Sequence, residues 1–537
     1  MEIAVIGAGP AGLTSAKQAL ERGHQVVVYE REDDLGGIWN PAAGGAYDSV
    51  RMQSSVMSFP FSDYPPPADT AFPTQAEVHT YLTGYAREFG VAPATRYRHT
   101  VTRVVKRDGR WQVTARCDGQ ERTDTFDAVM VASGELWESR RPEFVPDGST
   151  GVQVITAKDY RAPRSCRGQR VLVIGGGVSG ADIAGELAAD GRAVDWSVRH
   201  RALFLPRRCG GILNDAFFSY IGRVAVEELP YQDYLKRLEE DLPQYLTTYR
   251  ESGLLPEDGF HGAIHVNDRI VEAVHSGRVQ VRPSFTRFDE DGSAVFSDGS
   301  RERYDTVVLC LGYGLPDYRF LPEMDRHDLY EHFFWSADPT LAIINTPVDT
   351  EAFGTACPYF EMIAAWALRV FDGTVQLPPA EERAAWCARH MARLDDRRYY
   401  DCWLETVRLG LIAGVLPDPA RDFDGYWRLI AGQVAPAGLL PDAAPVPAGV
   451  RDDWFDLTVL RHRVLAGLDP QALAGLVAAG QVTAEDAAAA RAVPADRAIA
   501  PWLPYRQRSA TVSFSGKEID GPSTAAAGTG LPTGAGR

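Results

Sequence analysis

A glycine-rich turn between a buried strand and a helix occurs twice in this chain, and that repetition constrains the fold more than any other feature. The first copy, EIAVIGAGPAGLTSAKQALERGHQVVVYE, spans residues 2–30 and carries Gly7, Gly9 and Gly12. The second, RVLVIGGGVSGADIAGELAADGRAVDWSVRHRA, spans residues 170–202 and carries Gly175, Gly177 and Gly180. In such a turn the first glycine permits the tight bend and the second lets the backbone approach a pyrophosphate. The third allows close helix–strand packing, and the helix N-terminus faces the phosphates. One G-x-G-x-x-G also arises as a chance tight turn. Two copies, each between a strand and a helix, define two dinucleotide sites.

The copies differ at one place. Glu30 stands eighteen residues past Gly12, where a carboxylate accepts hydrogen bonds from ribose hydroxyls. The matching position after Gly180 is Val198, followed by Arg199, His200 and Arg201. A carboxylate there would repel a 2′-phosphate, whereas arginines attract one. The first site therefore suits FAD, and the second suits NADPH rather than NADH. The plainer alternative for Arg199 and Arg201 is a pair of solvated strand-end charges.

Two further segments, FDAVMVASG (126–134) and YDTVVLCLGYG (304–314), each combine an aspartate, a buried strand and a small-residue turn. They read as crossings between the two nucleotide modules. The expected fold is α/β: two Rossmann-like dinucleotide-binding domains, an NADPH domain inserted into an FAD domain, plus a helical C-terminal extension. The boundaries expected are 1–163 and 301–435 for the FAD domain and 164–300 for the NADPH domain, with a helical insertion at about 205–265. Residues 436–515 form the extension, and the Gly/Ser/Thr/Ala-rich tail 516–537 is expected to be disordered. Alternating patterns over 98–113 and 278–296 predict antiparallel strands that turn at Asp108-Gly109 and Asp291-Gly292. Helical spacing over 231–249 predicts a helix kinked at Pro243. Asn267-Asp268 cap a short helix that stops at Gly277, and the adjacent His265 reads as structural. Tyr220, Tyr231, Tyr234, Tyr245 and Phe260 are expected in the core rather than around a pocket.

Composition narrows the function. The chain has 537 residues with Lys+Arg 55 and Asp+Glu 72, a net charge of −17. An acidic surface disfavours sequence-independent nucleic-acid binding and docking on anionic lipid. No apolar run approaches the ~18 residues needed to span a bilayer, and the N-terminus lacks the pattern of a signal peptide. Seven scattered cysteines with no C-x-x-C pair fit a reducing cytoplasm. They also remove a dithiol outlet for reduced flavin, and no metal or iron–sulfur ligand spacing is present. Oxygen or a direct substrate remains.

On these residues the chain resembles the flavin-containing monooxygenases, class B flavoprotein monooxygenases related to the Baeyer–Villiger and N-hydroxylating enzymes. The resemblance rests on GAGPAGL (7–13), Glu30, DDLGGIW (33–39), YDSVRMQSSVMSFPFSDYP (47–65), FDAVMVASG, RVLVIGGGVSGADIA (170–184), CLGYGLPDYRFLP (310–322) and GTACPYFEMIAAWALRVFDG (354–373). It covers roughly residues 1–435. It implies that Gly7, Ala8, Gly9, Pro10, Ala11 and Gly12 hold the FAD pyrophosphate and Glu30 its ribose. Gly37, Ile38 and Trp39 lie along the adenosine or flavin side. Met52, Gln53 and Ser54 lie near the isoalloxazine and nicotinamide. Gly175, Gly177, Ser179, Gly180, Ala181 and Asp182 meet the NADPH pyrophosphate, next to Arg199 and Arg201.

The sequence departs from the family in two places. Gln53 stands where the family usually has Asn, an amide taken to hydrogen-bond the flavin peroxide and NADP⁺. The identifying segment F-x-G-x-x-x-H-x-x-x-[Y/F] is matched only loosely by STGVQVITAKDY (149–160), with Thr156 at the histidine place and Tyr160 retained. The activity implied is an NADPH-dependent monooxygenase that forms a C4a-hydroperoxyflavin and oxygenates a soft nitrogen or sulfur nucleophile of a small substrate, with Gln53 as the catalytic donor. The alternatives are a non-oxygenating NADPH oxidase or reductase, a Baeyer–Villiger enzyme, and a flavin-bearing scaffold. Truncation at about residue 435 is expected to spare catalysis, and a homo-oligomer is left open.

Overall fold

The computed structural model describes residues 1–64, 70–142, 145–146, 150–226, 228–256, 259, 264–314, 316–345, 350–353, 357–391, 398–439, 452–500 and 508–509. Phe260 and the tail 516–537 lie outside these residues.

Two parallel sheets share one plan. In the first, β1 (Glu2–Ile6) lies between β2 (Gln25–Tyr29) and the strand Ala128–Val131, all parallel, with Leu341–Ile343 parallel beyond it. Thr95–Arg96 pairs outside β2, and Leu329–Tyr330 and Phe334–Trp335 close the other edge antiparallel. In the second, Arg170–Ile174 lies between Ala193–Ser197 and Thr306–Leu309, flanked by Val279–Arg282 and Gln153–Thr156, all parallel.

The near-continuous apolar runs follow from burial on both faces. Ile3 and Val5 face one core with α1 (Pro10–Glu21) and the helix Cys357–Phe371, while Ala4 and Ile6 face the three-stranded sheet Thr100–Arg107, Arg110–Cys117 and Gln120–Phe126. The second sheet repeats this. Val171 and Val173 face helices, and Leu172 and Ile174 face the antiparallel strands Phe285–Phe288, Ala294–Phe296 and Arg301–Glu302. The two crossings run alongside each other: Arg140 N–H donates to Gly312 O at 3.0 Å and Gly314 N–H to Glu138 O at 2.6 Å.

Several expectations change. Val279–Arg282, read as part of an antiparallel pair, runs parallel to Ala193–Ser197. It is a half-exposed edge strand, and half-exposure produces the same alternation as a hairpin. Gln153–Thr156 and Thr306–Leu309 hydrogen-bond in the second sheet although both fall outside 164–300. Long-range parallel pairing leaves no local mark in sequence. The 231–249 pattern forms two helices, Tyr231–Asp241 and Pro243–Glu251, because Leu242 leaves the helical region (φ −134°, ψ 54°) and Pro243 opens the next helix.

The tyrosines of this insertion belong to the core. Tyr231 donates its hydroxyl to Pro256 O at 2.7 Å and Tyr249 to Ala202 O at 2.8 Å, and Tyr220 and Tyr234 are buried. Tyr245, at the margin, donates to Phe204 O at 2.9 Å. Asn267 Oδ1 accepts from Arg269 N and Ile270 N at the start of Ile270–His275, and Gly277 turns the chain at φ +73°. His265 packs on Phe204 with ring centroids 5.6 Å apart, and burial lowers its pKa to about 4, so it is a neutral packing residue.

The extension forms helices Leu457–Ala466, Pro470–Ala478 and Ala484–Ala492, capped by Asp456, Asp469 and Thr483. It is not separable in the way the sequence suggests. Leu460, Val464, Leu465, Leu473 and Leu476 share one continuous core with Tyr426, Trp403 and Tyr359. Truncation at about 435 uncovers that core, so the expectation that it spares catalysis is withdrawn.

Cys357–Phe371 packs against α1, and Gln18 Nε2 donates to Glu361 O at 3.0 Å. The Glu361 side chain, 5% exposed, accepts from Ser62 N and Ser62 Oγ, each at 3.0 Å. Burial pushes it up from 4.5 to about 8. Between those values the folded protein keeps a proton that the unfolded chain releases, so this group's stabilisation is full below about 4.5 and is lost as pH climbs through about 8. We expect the Tm of the wild type to fall more steeply than that of Glu361→Gln across this window. Parallel Tm–pH profiles in a thermal melt series contradict it.

Candidate active site

The two glycine turns superimpose in their chemistry. Gly7 has φ +105°, and a Cβ there would lie 2.4 Å from Ala132 O; Gly175 has φ +127°, and a Cβ would lie 2.1 Å from Cys310 O. At the third positions, Gly12 and Gly180, a Cβ would lie 1.9 Å from Gly7 O and 2.0 Å from Gly175 O. These four glycines are required by the protein itself. The middle glycines are not. Gly9 (φ −78°, ψ −177°) and Gly177 (φ −86°, ψ −172°) have backbone angles open to any residue. A Cβ on Gly9 would make only ordinary contact, 3.6 Å from Gly37 Cα, and one on Gly177 would meet nothing within 4 Å. Each is the residue preceding a helix whose first N–H groups lack intrahelical partners. A glycine that the packing does not require lets a pyrophosphate approach the backbone closely, so both cradles fit a dinucleotide.

Around the first cradle, Pro10, Ala11 and Gly12 form the first turn of α1. Glu30 is buried, and its carboxylate accepts from Ala8 N at 2.7 Å and Glu32 N at 2.9 Å. Burial raises its pKa, opposed by these two bonds. The carboxylate thus tethers the end of β2 to the glycine turn. The LGGIW segment folds over the turn: Gly36 N–H donates to Ala8 O at 2.9 Å, and a Cβ on Gly37 would lie 3.2 Å from Gly9 Cα. Ile38 and Trp39 follow on the same one-turn helix Gly37–Trp39.

At the second cradle, Ser179, Gly180 and Ala181 lie in the first turn of Val178–Ala189. Asp182 is engaged elsewhere. Its oxygens accept from Tyr47 Oη and Asn267 Nδ2, each at 2.6 Å, so it ties the 47–59 segment to the turn that caps Ile270–His275. Arg199 and Arg201 are exposed just past Ala193–Ser197, and neither forms an ion pair among the described residues. They flank His200, whose carbonyl would lie 3.3 Å from a Cβ on Gly176. The loosely matched identifying segment is the edge strand Gln153–Thr156 and its turn. Thr156 Oγ1 donates to Asp159 at 2.7 Å, and Tyr160 Oη to Glu186 at 2.8 Å.

The 51–59 segment passes between the modules. Met52 N donates to Pro73 O and Val56 N to Ala71 O, each at 2.9 Å. Ser55 N–H donates to Asp215 Oδ2 at 2.5 Å, and the Ser58 hydroxyl donates to the same oxygen. Met52 and Ser54 are buried, while Gln53 is half-buried, and its amide makes no hydrogen bond among the described residues. A fixed backbone therefore presents an amide with free donors and acceptor. Asp215 escaped the sequence reading, since an Asn-Asp pair before aromatic residues carries no motif. Asn345 escaped it too. This buried side chain accepts from Gly134 N–H at 3.1 Å and pins the first crossing.

Two glycine cradles on linked parallel sheets, the first beside the buried Glu30 and the second beside exposed arginines, fit a flavoprotein that takes a nicotinamide reductant. The flavin-binding monooxygenase-like family model matches residues 1–413, and the chain belongs to that family. Flavin-containing monooxygenase 5 from Homo sapiens is 33% identical over 439 residues, covering 76% of this chain and 80% of the relative. Dimethylaniline monooxygenase (N-oxide-forming) 4 from Oryctolagus cuniculus is 30% identical over 417 residues, covering 72% and 73%. Among solved structures, Tmm from Pelagibacter sp. strain HTCC7211 shares the fold with a TM-score of 0.56 at 18% identity, covering 83% of this chain and 96% of that one. The protein is a flavin monooxygenase whose cofactors are FAD and NADPH. Among the described residues no helix is long and apolar enough to cross a membrane.

The glycines generate a sharp expectation. Gly12→Ala and Gly180→Ala yield insoluble or destabilised protein, because a methyl group meets a carbonyl oxygen. Gly9→Ala stays folded but is purified without bound FAD. Gly177→Ala keeps FAD and raises the KM for NADPH roughly tenfold or more. Absorbance of the bound flavin, thermal melts and initial rates distinguish the three classes. A Gly9→Ala protein that keeps a full complement of FAD contradicts the assignment.

Proposed function

We propose that this monooxygenase oxygenates a soft nitrogen or sulfur nucleophile of a small organic substrate. Bound FAD supplies the redox chemistry, accepting two electrons from NADPH and activating molecular oxygen. The balance is substrate + O₂ + NADPH + H⁺ → oxygenated substrate + NADP⁺ + H₂O.

One observation carries the choice of substrate. The segment that presents Gln53 is held by the buried Asp215 carboxylate. Among the described residues no lysine, arginine or histidine side chain hydrogen-bonds residues 53–58. A neighbouring carboxylate disfavours accumulation of anionic oxygen, which attack on a ketone requires. It favours a neutral oxidant that a nucleophile attacks. The Gln53 amide serves as the hydrogen-bond donor to the activated oxygen.

In this reading Gly7–Gly12 and Glu30 hold the pyrophosphate and ribose of FAD, and Gly37, Ile38 and Trp39 close over it. Met52, Gln53 and Ser54 face the reacting rings. Gly175, Gly177, Ser179, Gly180 and Ala181 hold the NADPH pyrophosphate, and Arg199 and Arg201 take its 2′-phosphate. Asp182 acts as a tie between segments. The NADPH-binding unit then runs from about residue 151 to about residue 312, and the FAD-binding unit lies on either side. Seven cysteines without a disulfide among the described residues and the acidic charge support a cytoplasmic enzyme without nucleic-acid or membrane partners.

The test is a product balance on the purified holoenzyme with a tertiary amine, a thioether and a cyclic ketone. N-oxide or sulfoxide forms in near-equal amount to the NADPH consumed, and ester or lactone forms at least roughly tenfold more slowly. Arg199→Ala and Arg201→Ala each raise the KM for NADPH and narrow its advantage over NADH. A preference for the ketone, or H₂O₂ accounting for nearly all the NADPH, overturns the proposal.

A further inference from the structure

The family match ends at residue 413, yet the chain beyond it packs against the residues that follow Asp215. Asp215 lies on the one-turn helix Asn214–Ala216 within the insertion. A single turn does not hold a carboxylate rigidly by itself, so its support comes from what packs on it. The next two residues, Phe217 and Phe218, meet the Trp454 ring edge-to-face, with centroids 5.7 and 5.2 Å apart. Tyr234 meets the same ring at 5.9 Å, and Trp454 is 5% exposed. A second tie joins the same pieces: Arg463 of the extension pairs with Glu228 of the insertion at 2.8 Å.

On its other side Asp215 gathers two donors onto Oδ2, the Ser55 N–H and the Ser58 hydroxyl. Ser55 and Ser58 are both 0% exposed, so loss of the carboxylate removes the acceptor of two buried donors. Oδ1, equally buried, has no donor among the described residues. The two donors gathered on Oδ2 offset the cost of leaving Oδ1 buried without one. Ser55 is two residues from Gln53.

We propose that Asp215 is a positioning residue for Gln53 and that Trp454 braces it, which makes the C-terminal extension a working part of the oxygenation site. The proposal rests on Gln53 serving the activated oxygen. The chain of support runs from Trp454 through Phe217 and Phe218 to Asp215, and from its carboxylate through Ser55 and Ser58 to the Gln53 backbone. A shift of about an ångström at the end of such a chain is enough to misplace a donor.

The test compares full-length, FAD-loaded Asp215→Ala, Asp215→Asn, Trp454→Ala, Trp454→Phe and Gln53→Ala with the wild type. Three quantities are read: visible-region circular dichroism of the bound flavin, the anaerobic rate of flavin reduction by NADPH, and the share of NADPH electrons released as H₂O₂ (NADPH + H⁺ + O₂ → NADP⁺ + H₂O₂). Asp215→Ala and Trp454→Ala are expected to reduce within about threefold of wild type, to shift the flavin dichroism, and to raise the H₂O₂ share roughly threefold or more. Asp215→Asn keeps one acceptor oxygen and falls between; Trp454→Phe keeps an aromatic wedge and restores coupling. Where an alanine variant fails to fold, its conservative partner carries the test, and Asp215→Asn must still release more H₂O₂ than wild type. Loaded Asp215 variants with wild-type dichroism and wild-type H₂O₂ share overturn the clamp, and a loaded Trp454→Ala with both unchanged overturns the brace. If Gln53→Ala uncouples while the Asp215 variants do not, the role of Asp215 falls and that of Gln53 stands. If Gln53→Ala stays coupled, both fall.

Discussion

The positive end of a helix at a glycine whose missing side chain leaves space beside the backbone is the feature on which this enzyme depends. It occurs twice, before α1 and before Val178–Ala189, and each time the neighbouring glycines are consumed by the protein's own packing while the middle one is left open. Unpaired N–H groups and the helix dipole give that space its affinity for a pyrophosphate. The two sheets exist to aim these helix ends. Both carry helices on one face and a three-stranded antiparallel sheet on the other, and both place the glycine turn at the carboxyl end of a central strand flanked by parallel neighbours.

Between the cradles, the segment proposed to serve the chemistry has no regular secondary structure of its own. Its backbone is held to 71–73 by main-chain bonds and to the insertion by one carboxylate, leaving the Gln53 amide free. Asp182 makes a second link, through Tyr47 and Asn267. Both carboxylates join the 47–58 segment to the second module's helices, so the site is sensitive to how the modules sit together. The C-terminal helices share a core with the family-wide fold, and Trp454 just before them packs on the insertion's aromatic residues. They are therefore part of the folding unit rather than an appendage.

The cradles were legible because their physics is local. A strand, three glycines and a helix occupy a short stretch, and Glu30 or Arg199 and Arg201 follow at a fixed interval. What depended on distant pairing was not legible. Val279–Arg282 alternates like a hairpin strand but is a parallel edge, and Gln153–Thr156 joins a sheet whose centre lies beyond the turn that follows it. Asp182, placed by position at the pyrophosphate, is spent on Tyr47, a residue far upstream. Asp215 has no motif, and its importance arises only when Ser55 and Ser58 are brought to it. The compositional change near residue 435 suggested independence, yet Ala-rich helices bury their leucines against any apolar neighbour, and here that neighbour is the main core.

The most direct measurement is anaerobic titration of the purified full-length protein with NADPH and, separately, with NADH, following the absorbance of the bound flavin. The account predicts a yellow protein that one equivalent of NADPH bleaches, much faster than NADH does at equal concentration. Protein that remains colourless after incubation with FAD, or that stays yellow with excess NADPH, contradicts it.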